Sequence, residues 1–240
     1  MTTTTPRRAL AAAAALAVAG VALAGCVRLP APGPRVTEQH EVSDDVHALR
    51  LENAGDVVVE LGNEPGLTVR APDNVIDRLT VDEEGGTIVL GIEGPGMWTG
   101  RIDYVLTVRS FDGVEIEGAG DVRADFSAAR EVSIDIEGSG DVRAEKVDAE
   151  EVSIEIVGSG DVRIAGRAER GDYRIEGSGD IRAADLVLRT GAVEVVGSGD
   201  ISVHATSSLS ARVAGSGDIR IAGSPRVTRD IEGSGDIFEF

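Results

Sequence analysis

Along the second half of the chain, apolar and polar residues alternate with a period of two, and the alternation itself recurs every 18 to 20 residues. Each recurrence is marked by a Gly-Ser-Gly-Asp or Gly-Ala-Gly-Asp tetrapeptide. The marker aspartates are Asp121, Asp141, Asp161, Asp180, Asp200, Asp218 and Asp236. Aligned on them, the residue five places before is always β-branched: Ile116, Ile136, Ile156, Ile175, Val195, Val213 and Ile231. So is the residue one place after: Val122, Val142, Val162, Ile181, Ile201, Ile219 and Ile237. Three places after stand Ala124, Ala144, Ile164, Ala183, Val203 and Ile221, with Glu239 breaking the column. Side chains two apart on a strand share a face, so these columns are predicted to face one core. The positions between them are polar. Each unit therefore reads as strand, glycine corner, strand and variable link.

A unit of about 19 residues with two short strands cannot bury its apolar face alone, but it can against copies of itself. Residues 41–112 also alternate, in "HALRLENAGDVVVELG", "GLTVRA", "RLTVDEEGGTIVLGI" and "IDYVLTV", between Gly, Asn, Asp and Pro breaks. No helical period stands out after residue 40. The predicted fold is all-β: a parallel β-helix over residues 41–240 with about ten coils, roughly 50 Å long at the usual strand spacing. An antiparallel sandwich or a propeller is the alternative. A propeller blade needs about 40 residues, and nothing here alternates at twice the repeat.

The chain begins differently. Arg7 and Arg8 precede an alanine-rich apolar run too short to span a bilayer, ending in Leu23-Ala24-Gly25-Cys26. This resembles the lipobox of bacterial lipoproteins. The resemblance implies a signal peptide over residues 1–25, cleavage before Cys26, and acyl chains such as palmitate on its thiol. Residues 26–40, with several prolines, read as a lipidated N-terminus and tether. The expected location is the extracytoplasmic face of the cell membrane, with the lipid on Cys26 as the membrane contact. Each buried methylene would add about 0.8 kcal/mol. As the only cysteine, Cys26 leaves no intramolecular disulfide to stabilise the fold.

The 240 residues carry a formal charge of −19, and −21 once residues 1–25 with their two arginines are removed. That balance argues against nucleic acid, which calls for basic patches. It permits cations and basic partners.

The repeats, with the divergent strand segment before them, resemble the head GIN domain family of auto-transporter adhesins. The resemblance spans about residues 41–240. It implies a β-helical, surface-exposed protein with a non-enzymatic interaction or adhesion role, and carries over no catalytic residue, ligand or cofactor.

The repeated aspartate raises its own question. Stacked carboxylates at coil spacing repel by roughly 0.9 kcal/mol per neighbouring pair even in water. One relief is structural: backbone N–H groups at the corner, and the arginines two places on (Arg123, Arg143, Arg163, Arg182 and Arg220). The other is calcium, which would make the seven aspartates a metal ladder and the protein a cation-responsive envelope module. Calcium wants six to eight oxygens, and each corner brings one carboxylate, so the structural reading is preferred and no cofactor is expected. His40, His47 and His204 are scattered. Ser207, Ser208 and Ser210 have no evident base. Asp82-Glu83-Glu84 reads as a solvated hairpin turn. A carbohydrate-active enzyme is a distant alternative, since only seven residues are aromatic. Trp98 in "PGMWTG" reads as packing or capping. Phe238, standing in the arginine column, suggests either a cap on the open end or end-to-end self-association.

Overall fold

The computed structural model describes residues 33–94 and 100–240. In chain order the first elements are β1 (Arg35–Glu41), β2 (Ala48–Leu51), β3 (Asp56–Leu61), β4 (Gly66–Pro72), a one-turn helix α1 (Asp73–Ile76), β5 (Leu79–Glu84), β6 (Thr87–Ile92) and β7 (Asp103–Val108). The remainder is β8 (Gly113–Ile116), β9 (Val122–Asp125), β10 (Glu131–Gly138), β11 (Val142–Gly158), β12 (Val162–Gly177), β13 (Ile181–Gly197), β14 (Ile201–Gly215), β15 (Ile219–Gly223), β16 (Arg226–Gly233) and β17 (Ile237–Glu239). All seventeen strands belong to one sheet. It forms a β-solenoid of about six turns joined to a curled mixed sheet.

From β8 onward every pairing is parallel, and the predicted columns stack. Ile116, Ile136, Ile156, Ile175, Val195, Val213 and Ile231 are successive register partners. So are Val122, Val142, Val162, Ile181, Ile201, Ile219 and Ile237. All but Ile231 and Ile237 of the last coil are buried. Full burial of such a side chain contributes about 1.5–3 kcal/mol, so the stacked columns are the main stabilising term. The length differences between units are absorbed as register shifts between Ala144 and Val147, Arg163 and Ala165, and Ala183 and Thr190. They begin two or three residues beyond the marker aspartate, where the strand leaving the corner passes into the link.

The prediction of about ten coils does not hold for residues 35–112. β2 and β3 do form a coil, lying parallel on β8 and β9 with Leu51 opposite Ile116 and Val57 opposite Val122. The chain then departs. Gly85 and Gly86 both adopt positive φ, 59° and 87°, and close a tight hairpin that makes β5 and β6 antiparallel. β4 runs antiparallel to both β7 and β1. The tether read over residues 26–40 is likewise shorter: Arg35–Glu41 is a strand, paired from Arg35 opposite Pro72 to Glu41 opposite Gly66. The helix α1 adds the buried Val75 and Ile76 to the core.

Another buried column runs through Val114, Ile134, Ile154, Tyr173, Val193 and Ala211. Tyr173 stands among aliphatics, and its hydroxyl is buried without a hydrogen-bond partner. Burial pushes its pKa well above the ordinary tyrosine value. An unpartnered buried hydroxyl costs about 1–3 kcal/mol. Tyr173→Phe is therefore expected to stabilise the fold, by about 1 kcal/mol, read as a higher denaturant midpoint at unchanged slope. A fall in the midpoint would show that the hydroxyl has a partner.

The last coil breaks the columns. Arg229 stands opposite buried Ala211, and Glu239 opposite buried Ile221. The two side chains pair with each other. Inward-pointing charge on an edge strand opposes pairing with another sheet edge. The double substitution Arg229→Val with Glu239→Val should turn a monomeric chain into one that self-associates end to end, read by sedimentation velocity. An already dimeric wild type would contradict this.

Candidate functional site: the corner ladder and its groove

Each residue of the corner tetrapeptide has a separate task. The first glycine has φ between 128° and 143° from Gly138 to Gly233, in the region that favours glycine. A Cβ there would lie 2.1–2.3 Å from the carbonyl oxygen of the glycine one coil earlier. The second glycine is equally crowded: a Cβ on Gly179 would sit 2.0 Å from the Gly160 oxygen. The serine uses its backbone, as Ser178 N–H donates to Gly158 C=O at 2.8 Å, while the residue is exposed.

The aspartate completes the ladder. Asp141 N–H donates to Asp121 Oδ1 at 3.2 Å, and Asp161 N–H to Asp141 Oδ1 at 2.9 Å. Asp180 and Asp200 N–H repeat the bond to the preceding Oδ1 at 3.0 Å each, Asp218 at 2.9 Å and Asp236 at 3.0 Å. Each carboxylate from Asp121 to Asp218 thus satisfies a backbone donor of the next coil, and that attraction offsets the repulsion along the column.

The arginines divide into two groups. Arg182 bridges Asp161 at 2.8 Å and Asp180 at 2.9 Å. The hydrogen bond it donates to Asp161 holds its pKa above the ordinary guanidinium value, against a smaller opposing effect of burial. Arg220 reaches Asp200 at 2.9 Å and Asp218 at 3.8 Å, and its guanidinium carbon lies 5.6 Å from the Phe238 ring centre, a cation–π distance. Among the described residues Arg163 approaches only Asp185, at 3.5 Å. Among the described residues, Arg123 and Arg143 pair with no carboxylate. These arginines and Asp121, Asp141 and Asp161 line a groove of about 330 Å³.

A further corner lies where the sequence spacing does not point. Asn53-Ala54-Gly55-Asp56 occupies the corner of the β2–β3 coil, with Val57 N–H donating to Asp121 C=O at 2.7 Å. Its tetrapeptide fits the template, but 65 residues separate Asp56 from Asp121, so the periodicity hides it. Buried Asn53 replaces the first glycine and donates to the Leu90 and Gly91 carbonyls and to Tyr104 Oη.

The remaining candidates stay apart. His40 faces Glu38 at 3.8 Å, His47 Nδ1 lies 3.0 Å from the Gly86 carbonyl, and His204 sits on β14. Ser207, Ser208 and Ser210 are also on β14, with Ser208 opposite Thr190 and Arg226. Asp82, Glu83 and Glu84 end β5 as the exposed approach to the Gly85-Gly86 turn. No group of three or more His, Cys, Asp or Glu side chains is arranged for a metal among the described residues. Cys26 and Trp98 lie outside the described residues.

No functionally curated protein matches the chain. Solved structures do. A "putative adhesin" from Bacteroides fragilis superposes with a TM-score of 0.80 at 23% identity, over 86% of this chain and 97% of that one. A "putative lipid binding protein" from Parabacteroides distasonis gives 0.69 at 22% identity, over 87% and 97%. A "putative adhesin" from Parabacteroides merdae gives 0.64 at 20%, over 87% and 97%. At these identities the likeness concerns the fold. The family model described as "Putative auto-transporter adhesin, head GIN domain" matches residues 45–225, and the chain belongs to that family.

Proposed function

We propose that this protein is a non-enzymatic interaction module, exported and held at the extracytoplasmic face of the membrane by lipid on Cys26. The observation that carries the reading is the stacked register of the solenoid. It repeats each surface position coil after coil, as Arg123, Arg143, Arg163 and Arg182 do, and so presents a regular polar face to a partner. Membership of a family described as adhesins supports the same role.

The corner geometry favours structure over calcium. One oxygen of each aspartate from Asp121 to Asp218 is engaged by a backbone N–H, and a cation binding there would compete with that bond. The carbohydrate-active enzyme alternative draws no support from the described aromatics: Tyr104, Phe111, Phe126 and Tyr173 are buried in the core, and the exposed Phe238 and Phe240 belong to the last coil.

Two experiments test the reading. Palmitate labelling and membrane fractionation of the wild type and Cys26→Ala should show label and membrane retention only in the wild type. Pull-down from envelope or matrix material should retain a specific partner. Retention of nothing specific would count against the adhesion role, and unchanged fractionation of Cys26→Ala would count against the lipid anchor.

A further inference from the structure

Within the ladder, the first coils differ from the later ones in unengaged hydrogen-bonding capacity. Around Asp161, Asp180, Asp200 and Asp218 the second carboxylate oxygens meet Arg182 or Arg220. Around Asp121 and Asp141 they do not: no ion pair engages either carboxylate among the described residues, and Arg123 and Arg143 reach none. The groove of about 330 Å³ lies over these coils. Arg123 and Arg143 also border a neighbouring groove of about 550 Å³, beside Val58, Leu61 and Lys146.

We propose that this groove binds an extended neutral glycan, an inference that rests on the adhesion reading and names the chemical class of its partner. Guanidinium groups only donate hydrogen bonds and ionised carboxylates only accept them. Here columns of the two run side by side, so a ligand group that both donates and accepts satisfies both at once. A hydroxyl does. Arginines and aspartates occur in the groove in similar number, which gives no preference for a polyanion or a polycation. No aromatic side chain lines it, so recognition rests on hydrogen bonds, weak singly and additive along a repeating chain. Repetition at the coil spacing suits a polymer over a single small molecule.

The test is affinity electrophoresis of the full chain in non-ionic detergent, through gels containing dextran, laminarin or galactomannan. Polygalacturonate and poly-lysine gels serve as charged comparators. At least one neutral glycan should retard the protein, with little dependence on salt. Arg123→Ala and Arg143→Ala should each weaken retention roughly tenfold, since each removes a charged donor. Both are exposed and make no ladder bond, so an unchanged melting temperature should accompany the loss. Arg189→Ala, away from the groove, should leave retention intact. Retention by no neutral glycan, retention only by a charged polymer and lost in salt, or retention indifferent to both arginines would each overturn the inference. A specific partner in the envelope pull-down, found together with any of those results, would leave the adhesion reading standing and remove only the glycan.

Discussion

Gly177→Ala should destabilise the protein by about 3 kcal/mol or more, whereas Ser178→Ala next to it should change stability by less than about 0.5 kcal/mol. The contrast follows from the corner. Gly177 has φ 139°, and a Cβ there would stand 2.1 Å from the Gly158 carbonyl oxygen and 3.1 Å from its nitrogen. The obstacle is backbone, so relief requires two coils to part. Parting them also strains the Ser178 N–H to Gly158 C=O bond beside it. The serine side chain is exposed and carries none of this. Urea denaturation of both variants checks the pair of outcomes. Equal, small effects would mean that the coils are not in close contact at the corner.

Asp161→Ala should cost about 1–3 kcal/mol, because it removes the acceptor of Asp180 N–H and leaves that donor unsatisfied. The bond is partly buried, so water replaces it incompletely. The same change also frees the Arg182 guanidinium from one of its two partners. Asp161→Asn keeps an Oδ1 acceptor and should cost about 1 kcal/mol or less, through the weakened ion pair alone. This ordering, Ala well below Asn and Asn near wild type, is expected of a hydrogen-bonding role. A metal-binding role predicts that Asn is nearly as damaging as Ala in the presence of the metal and harmless without it.

Much of the solenoid was legible because its signal is redundant. The β-branched residues at five before and one after each aspartate occur seven times, and a solenoid stacks like on like, so sequence columns became core columns directly. The links were legible for the same reason, as the only places where unit length varies. The N-terminal segment gave no such redundancy. Period-two alternation is shared by a parallel coil and an antiparallel hairpin, so "RLTVDEEGGTIVLGI" fitted both. What decides between them is the pair of positive-φ glycines at 85 and 86. Arg35–Glu41 became a strand although only Val36 is aliphatic in it, because pairing with β4, a tertiary fact, supplies its hydrogen bonds. Asp56 matches the corner motif, but only its coil stacks beneath that of Asp121, through Val57 N–H to Asp121 C=O, while its own carboxylate pairs with Arg101.

The site was half legible. The sequence suggested that the aspartates accept backbone N–H bonds. The donor proved to be the same residue one coil on, a relation that depends on coil register. The arginines two places on, present in five of the seven units, were read as partners of the aspartates. In the structure they pair with the ladder at Arg182 and Arg220 and, among the described residues, leave Arg123 and Arg143 without a carboxylate, which depends on side-chain placement within otherwise equivalent coils.

The central claim is that the repeated corner holds the coils together and is not a metal ladder. The most direct measurement is the melting temperature of the chain from residue 27 onward in millimolar Ca²⁺ and in EDTA, with Mg²⁺ as a control. A ligand bound only by the folded state stabilises it by about 2.7 kcal/mol at a hundred times its dissociation constant, so binding at the corners would be plain. The account predicts equal melting in all three buffers. A calcium-specific rise, lost in the double variant Asp141→Asn with Asp161→Asn, would contradict it.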